Sequence, residues 1–327
     1  MPTWNEILES IRTHNPHDVL RNDLLKKISK HTGRNVMVYY SGWLQKPKVG
    51  ANYSISDEDK NGFMACCPKK EARKRGLDLI LHTPGGRVDA TESLIDYLYE
   101  LYEGNIRAFV PQLAMSGGTL IAVSCKEIWM GNQSSIGPVD PQINGVAAQS
   151  YIAEFEKACE EVEKRPGTFP MWQAIVGKLP PGFLIECQNA IDWSNDILTK
   201  SLQRGMLAGD KDVAEKIKKI QKLLGDKDFS KTHARHITRR QAMDYGLNVQ
   251  SLESDDKLQD LVLSLHHLLC LTFEQTTAVK IFANDKGSAY ITHGVPAPAN
   301  QPKNNPRHIG GVFVSKLAAR PCRDWVP

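Results

Sequence analysis

The 327-residue sequence contains no apolar run near the roughly 20 residues that a membrane-spanning helix needs. Its first residues, MPTWNEILESIRTHNPHD, are polar and amphipathic and have no apolar signal-peptide core. We therefore expect a cytoplasmic protein without a membrane span.

The sequence also has little excess charge and no recognisable cofactor motif. The 41 Lys and Arg residues against 37 Asp and Glu residues leave a net charge of +4, which is too small to predict a nucleic-acid partner. The GxxxxGK[ST] phosphate loop is missing, and the histidines and cysteines lack the spacing of metal ligands. We therefore expect the protein to bind no nucleic acid, no metal ion and no cofactor.

The seven cysteines include no CxxC pair and form no even framework of disulfides. Cys66 and Cys67 are adjacent, which disfavours a bond between them. We expect most of the cysteines to pack as small apolar groups, as in a cytosolic protein.

In the first half of the chain, short apolar runs alternate with segments of helical periodicity. This alternation predicts an α/β fold with a parallel sheet. The predicted strands are 35–40, 77–83, 106–112 and 127–131.

The second half is mainly helical. Four helical stretches predict an insertion at about 149–228, and a strongly amphipathic helix is predicted at about 255–281. Beside the apolar stripe of that last helix lie His266 and His267, for which we expect a surface or interface position. The predicted division is an N-terminal helical segment at 1–34, a main α/β domain at 35–281 and a Pro/Asn-rich arm at 282–327.

Two glycine-bearing turns follow predicted parallel strands, at the edge where open α/β sheets place their sites. In HTPGGRV, the adjacent Gly85 and Gly86 can present backbone N–H groups that stabilise an oxyanion. In AMSGG, Ser116 precedes a helix whose first free N–H group, that of Gly117, favours negative charge. Glycines at such turns are usually structural, so the second turn alone leaves open whether Ser116 is a nucleophile or a turn residue.

Three segments carry a resemblance to a known family: LILHTPGG, AMSGGTLIAVSCKEIWMGNQSSIGPVDPQ and THARHITRRQAMDYGLNV. Together they resemble the serine dehydrogenase proteinase family of the ClpP/crotonase superfamily, which is related to signal peptide peptidase A. The resemblance spans roughly Asn35 to Val249. It implies a ClpP/crotonase-like fold of stacked ββα units, here with a helical insertion and a long C-terminal helix.

The resemblance also implies a catalytic triad in the order Ser, Asp, His. It maps onto Ser116, onto Asp140 in GPVDPQ and onto His233 in THARHIT, with His236 as the reserve. A histidine base and a carboxylate behind it are what a serine hydroxyl needs to become nucleophilic. Without the resemblance, Asp140 would be assigned to capping its turn.

Further residues remain candidates for parts of this chemistry. His82 directly precedes the first turn and is a second reserve for the base, although a role in shaping the loop is favoured. The oxyanion hole is assigned to Gly86 and Gly117, with Gly85 as an alternative donor. A Ser–Lys dyad using Lys126 or Lys157 is a weaker possibility because no sequence feature singles out either lysine.

The preferred hypothesis is a serine endopeptidase that acts on peptides or proteins. A second hypothesis is a crotonase-type acyl-CoA enzyme, which would use the same oxyanion geometry but usually places carboxylates at its site. A third is a catalytically silent oligomeric scaffold, suggested by the insertion and the long C-terminal helix. The resemblance implies a homo-oligomer, and a partner protein that delivers substrate is a further expectation.

Overall fold

A computed structural model describes residues 17–46, 52–225 and 232–294. Within these ranges the strands are β1 (Asn35–Ser41), β2 (Leu77–His82), β3 (Ile106–Val110), β4 (Leu113–Ala114), β5 (Glu127–Met130), β6 (Ser135–Ile136), β7 (Gln142–Ile143), β8 (Val146–Ala147), β9 (Ile237–Thr238), β10 (Val249–Ser251), β11 (Ala278–Asn284) and β12 (Ala289–His293). The helices are α1 (His17–Thr32), α2 (Asp59–Cys66), α3 (Lys70–Arg73), α4 (Val88–Tyr102), α5 (Gly117–Val123), α6 (Ala148–Lys164), α7 (Phe169–Val176), α8 (Phe183–Arg204), α9 (Val213–Gly225), α10 (Arg239–Asp244) and α11 (Asp256–Gln275).

The main sheet has seven strands in the order β10-β5-β3-β2-β1-β11-β12. The strands from β10 to β1 are parallel, as the alternating pattern predicted. Strand β11 pairs antiparallel with β1, and β12 pairs antiparallel with β11. Strands β1 and β2 are buried along their whole length, which explains why their sequences consist mainly of apolar residues. The mixed α/β class is confirmed.

Helices cover both faces of this sheet. Along β1, Met37 and Tyr39 belong to one apolar cluster, whereas Val38 and Tyr40 belong to the other. This division follows from the two-residue period of a strand. Helices α4 and α5 contribute to the first cluster, and helices α1 and α11 contribute to the second.

A smaller three-stranded sheet, in the order β4-β6-β9, stands next to the carboxyl ends of the parallel strands. After β3 the chain enters β4 and then α5, which is the ββα order that the family resemblance implied. A parallel bridge between Thr83 and Ala114 connects the end of β2 to β4. The small sheet therefore carries the segment that precedes Ser116.

The predicted insertion contains helices α6 to α9, which end at Gly225. Residues 226–228 of the prediction lie outside the described ranges. Likewise, residues 1–16 of the predicted N-terminal segment lie outside them, and the described remainder of that segment contains α1. No helix in the described ranges combines the length and apolar character that a membrane crossing requires.

The predicted C-terminal boundaries need correction. Helix α11 ends at Gln275 rather than near 281, because the next residues form β11, whose seven residues are all buried. Strand β12 then pairs with β11, so residues 282–293 belong to the main sheet and not to an extended arm. The rest of the predicted arm, from residue 295, lies outside the described ranges.

The expectation for His266 was wrong. Its side chain is buried and lies next to Tyr40 and His82, with ring centroids at 6.0 and 5.4 Å. Helix α11 is buried over more of its circumference than its apolar stripe suggested, since it packs against both the sheet and α1.

Candidate active site

A single pocket of about 380 Å³ brings together the residues singled out from the two glycine turns and the downstream motifs. Its lining includes Gly86, Ser116, Gly117, Asp140 and His233. The pocket lies at the carboxyl ends of β2 and of the β3–β4 segment, where an open α/β fold is expected to place a site.

Ser116 has a strained backbone. It is the residue before α5, with φ 51° and ψ −116°, a region that side chains other than glycine rarely adopt. Such a conformation costs about 1–3 kcal/mol and persists only where the surroundings enforce it. Its hydroxyl has no hydrogen-bond partner within the described residues and lines the pocket.

Buried hydrogen bonds hold the serine turn in this conformation. The Met115 N–H group donates to the Thr83 carbonyl at 3.0 Å, which ties the turn to the end of β2. The fully buried Thr119 hydroxyl lies 2.8 Å from the Ala114 carbonyl and 2.9 Å from the Gly137 carbonyl. Thr119 thus links the serine helix to the turn that contains Asp140.

Asp140 and His233 form a pair although they are 93 positions apart. Asp140 Oδ1 lies 2.9 Å from His233 Nδ1, and Asp140 Oδ2 accepts a hydrogen bond from Gln142 Nε2 at 2.8 Å. The carboxylate is buried, while the His233 side chain remains about one-third exposed, at 32%. This arrangement leaves His233 Nε2 available to the pocket and holds the ring by its other nitrogen.

The helical insertion supports Asp140 from behind. The N–H group of Val139 donates to the Leu224 carbonyl in α9 at 2.8 Å. The carbonyl of the same residue accepts from the Ser194 hydroxyl in α8, also at 2.8 Å. The insertion therefore fixes the backbone next to Asp140 and does not displace it from His233.

Gly86 and Gly117 both line the pocket, and their backbone N–H groups have no protein acceptor in the described part of the chain. The N–H group of Gly85 is engaged instead, because it donates to Thr83 Oγ1 at 3.2 Å. The assignment of Gly85 as an alternative oxyanion donor is therefore disfavoured by the geometry.

The two glycine turns are in direct contact, which explains why both need glycine. A β-carbon added at Gly85 would lie 2.6 Å from Ser116 Cβ, and φ at Gly85 is +90°. A β-carbon at Gly117 would lie 2.6 Å from Thr91 Oγ1 and 3.5 Å from the Gly86 nitrogen. The free N–H groups of the two turns are thus held near each other.

His82 lies in the core, behind the site. It is fully buried, accepts a hydrogen bond from the Leu113 N–H group at 3.4 Å and packs against Trp43, with ring centroids at 4.3 Å. The pKa of His82 lies well below its ordinary value, mainly because the ring is buried and secondly because of electrostatic repulsion from His266. Because His82 does not line the pocket, its position agrees with a loop-shaping role rather than with the base.

His236 and the two candidate lysines also lie outside the pocket. His236 is exposed and lines a neighbouring depression together with Thr232 and Met115. Lys126, just before β5, and Lys157, in α6, are both exposed and do not line the pocket. The structure therefore gives no support to a Ser–Lys dyad.

Two further pocket residues had no signal in the sequence. Ala190 and Trp193 come from α8 of the insertion, and Trp193 Nε1 donates to a Glu92 carboxylate oxygen at 2.8 Å. These residues are about 100 positions from the first glycine turn, and no local pattern connects them to the site.

Comparison with known proteins identifies a related family. The model of the ClpP-like SDH-type serine proteinase family matches residues 17–171, just under half of the chain. An uncharacterized protein of Methanocaldococcus jannaschii is 30% identical over 180 residues, which are 55% of this chain and 55% of that protein. A second uncharacterized protein of the same organism is 41% identical over 86 residues, 26% of this chain and 29% of its own length.

The chain therefore spans about half of the first curated relative and less than a third of the second. Among solved structures, a mutant of a membrane-bound stomatin-specific protease is similar at 16% identity with a TM-score of 0.36. That similarity covers 64% of this chain and 79% of the other.

The fold and the family match indicate a ClpP-like protein. More particularly, residues 17–171 match the model of the ClpP-like SDH-type serine proteinase family, so the resemblance read from the sequence is confirmed.

Proposed function

We propose that this protein is a serine endopeptidase in which Ser116 is the nucleophile, His233 the general base and Asp140 the residue that orients it. The observation that carries the proposal is the shared pocket, where Ser116, the Asp140–His233 pair and two free backbone N–H groups meet. The family match, which includes the serine turn, supports the same reaction class.

In the first step, His233 Nε2 removes the Ser116 hydroxyl proton as Ser116 Oγ attacks the carbonyl carbon of a peptide bond. Asp140 accepts a hydrogen bond from His233 Nδ1–H, which fixes the tautomer and stabilises the imidazolium that forms. No Ser116–His233 hydrogen bond is present among the described residues. Such contacts commonly tighten only when substrate binds.

The negative charge that develops on the carbonyl oxygen is received by the N–H groups of Gly86 and Gly117. Both donors are part of turns that are already in place, so little reorganisation is needed as the charge forms. The imidazolium of His233 then protonates the leaving amine, which leaves Ser116 acylated. A water molecule, deprotonated by His233, hydrolyses the ester and restores the serine.

The proposal is tested with a fluorophosphonate probe and a fluorogenic peptide library on the wild type, Ser116→Ala and Ser124→Ala. Ser124 is a matched control at the other end of α5, where its hydroxyl donates to the Ile121 carbonyl at 2.7 Å. We expect Ser116→Ala to abolish both labelling and hydrolysis and Ser124→Ala to retain them. Equal labelling of the wild type and Ser116→Ala would rule out the assigned nucleophile.

The proposal extends to peptide or protein substrates, to a homo-oligomer in the cytoplasm and to a partner that delivers substrate. Exposed apolar side chains on the insertion, such as Phe169 and Ile185 at 53% and 67% exposure, support self-association. Sedimentation velocity across a range of concentrations tests the oligomer, and a single monomeric species throughout would contradict it.

A further inference from the structure

We propose that the buried Lys280–Asp59 ion pair is a positioning element for the oxyanion hole, which it controls through the backbone of residues 54–56. The inference rests on the proposed peptidase function, since it concerns how the Gly86 N–H group is aimed. Neither residue lines the pocket, so both would act through other residues.

The ion pair is deeply buried, and its N–O distances are short. Lys280 Nζ lies 2.7 Å from Asp59 Oδ1 and 3.0 Å from Asp59 Oδ2, and the two side chains are 3% and 2% exposed. The Tyr39 hydroxyl donates to Asp59 Oδ2 at 2.7 Å. Charges at this depth are costly unless they are well paired, so the network calls for a role beyond general stability.

Each member of the pair also binds the backbone of the segment beside it. Lys280 Nζ donates to the Ser54 carbonyl at 2.6 Å, and the Ser56 N–H group donates to Asp59 Oδ2 at 3.1 Å. The segment is thereby fixed on both sides of Ile55 by groups that come from β11 and α2.

Ile55 in turn fixes the first glycine turn. Its N–H group donates to the Gly85 carbonyl at 2.8 Å, and its carbonyl accepts from the Arg87 N–H group at 3.0 Å. Because backbone groups alternate in direction along an extended chain, the N–H group of the intervening Gly86 points away from Ile55 and toward the pocket.

The contact between Gly86 and Ile55 is close enough to transmit a displacement. A β-carbon at Gly86 would lie 2.2 Å from the Ile55 nitrogen, so the two backbones touch with no intervening side chain. If residues 54–56 lose their buried anchors, the Gly85–Gly86 peptide is free to rotate and its N–H group leaves the oxyanion position.

The test uses the double variant Lys280→Met/Asp59→Asn, which removes both charges together and retains an acceptor for Tyr39 and Ser56. The measured quantities are kcat and KM for a peptide substrate and the affinity for a peptide boronate, whose tetrahedral adduct occupies the oxyanion hole. We expect kcat and boronate affinity to fall by the same factor, about 10-fold to 100-fold, with little change in KM.

A matched control is Asp78→Asn, at the opposite end of β2. Asp78 is also a buried carboxylate, paired with Arg107 at 2.7 Å and with Arg34 at 2.8 Å. We expect this variant to lose stability in urea without the loss in kcat and boronate affinity. A purely structural role for Lys280–Asp59 would make the two variants alike.

A milder variant, Tyr39→Phe, keeps the aromatic ring and both charges and removes one hydrogen bond to Asp59. We expect it to lose kcat and boronate affinity in equal proportion, by less than the double variant. A folded double variant with unchanged kcat and boronate affinity overturns the inference; if it does not fold, the same result with Tyr39→Phe overturns it. Activity that survives Ser116→Ala refutes the peptidase proposal itself, which separates the two failures.

Discussion

Ser116 occupies a backbone conformation in which a β-carbon is crowded, and this conformation directs its hydroxyl into the pocket. The strain is sustained by contacts around it, such as the buried Thr119 hydroxyl beneath the turn. Its neighbour Gly118 could not carry a side chain, since a β-carbon there would lie 2.5 Å from Thr83 Cγ2. At the scale of residues, the serine turn is therefore over-determined by its packing, as strained functional residues commonly are.

The choice of histidine can be tested at the same scale. We expect His233→Ala to lower kcat/KM by about 10³-fold or more, and Asp140→Asn by about 10⁴-fold because the tautomer is no longer fixed. His236→Ala is the control, because His236 is exposed and outside the pocket, and it should retain the wild-type rate. Steady-state hydrolysis of a fluorogenic peptide measures all three variants.

A large loss in His236→Ala together with a small one in His233→Ala would reverse the assignment. Loss in both variants with unchanged urea stability would instead indicate that the two histidines act together.

At the scale of elements, the site depends on how closely α4 and α5 approach each other. Thr91 of α4 donates to the Arg87 carbonyl at 2.7 Å and presents its hydroxyl to Gly117, the first residue of α5. The two helices begin at the two glycine turns, so this approach sets the distance between the proposed oxyanion donors.

We predict that Gly117→Ala destabilises the protein by about 1–3 kcal/mol, because its β-carbon would lie 2.6 Å from Thr91 Oγ1. It should also lower kcat as the turn shifts. The double variant Gly117→Ala/Thr91→Ala removes the clashing hydroxyl and should recover part of the stability. Urea unfolding and peptide hydrolysis provide the two measurements.

Gly167→Ala is the matched control, because nothing lies within 4 Å of a β-carbon at that position. Wild-type stability and kcat in Gly117→Ala would show that the turn can relax, contrary to the close contact between Gly117 and Thr91.

At the scale of the whole molecule, distant parts of the chain meet in the core behind the site. Tyr40 of β1, His82 of β2 and His266 of α11 form one buried group, in which the Tyr40 hydroxyl lies 3.2 Å from His266 Nδ1. The pKa of His266 is lowered from an ordinary value of 6.5 to about 3, mainly because the ring is buried and secondly because of electrostatic repulsion from His267. Both His82 and His266 are thus held neutral in the folded protein.

We therefore predict that the protein loses stability in acid. As the pH falls below about 6.5, the unfolded chain takes up protons on these histidines while the folded protein does not, so the free energy of unfolding falls with pH. Each histidine contributes a slope of about 1.4 kcal/mol per pH unit, and for His266 this continues down to a pH of about 3. Urea unfolding at several pH values measures the slope.

The His266→Gln variant can still accept a hydrogen bond from Tyr40. It should reduce the slope of unfolding free energy against pH by about 1.4 kcal/mol per pH unit, the contribution of one proton. Leu269→Ala is the control, since it removes buried apolar contacts in the same helix and should lower stability with an unchanged slope. An unaltered slope in His266→Gln would contradict the assignment of a neutral buried imidazole.

Local sequence was enough to predict several parts of this molecule. The buried parallel strands appeared as apolar runs, and the glycine turns after β2 and before α5 could be placed because glycine and the sheet edge impose strong local constraints. The candidates Ser116, Asp140 and His233 came from short motifs and a family resemblance, and the structure places them on one pocket.

The features that local sequence could not predict depend on contacts between residues far apart in the chain. The apolar and polar residues of 278–293 can be read as tail or strand, and only their pairing with β1 and with each other makes them part of the sheet. The ion pair between Lys280 and Asp59 could not be predicted either, because the two residues are 221 positions apart. The burial of His266 could not be predicted because it depends on what packs beside its helix.

Sequence by itself determined the secondary structure of the α/β core and the chemistry available at its two glycine turns, since both follow from short-range sterics and side-chain type. Tertiary structure alone decided which histidine meets Asp140, which backbone N–H groups remain free and what holds them in place. Those outcomes depend on hydrogen bonds and contacts between segments far apart in the chain, whose geometry exists only once the sheet and its helices have packed.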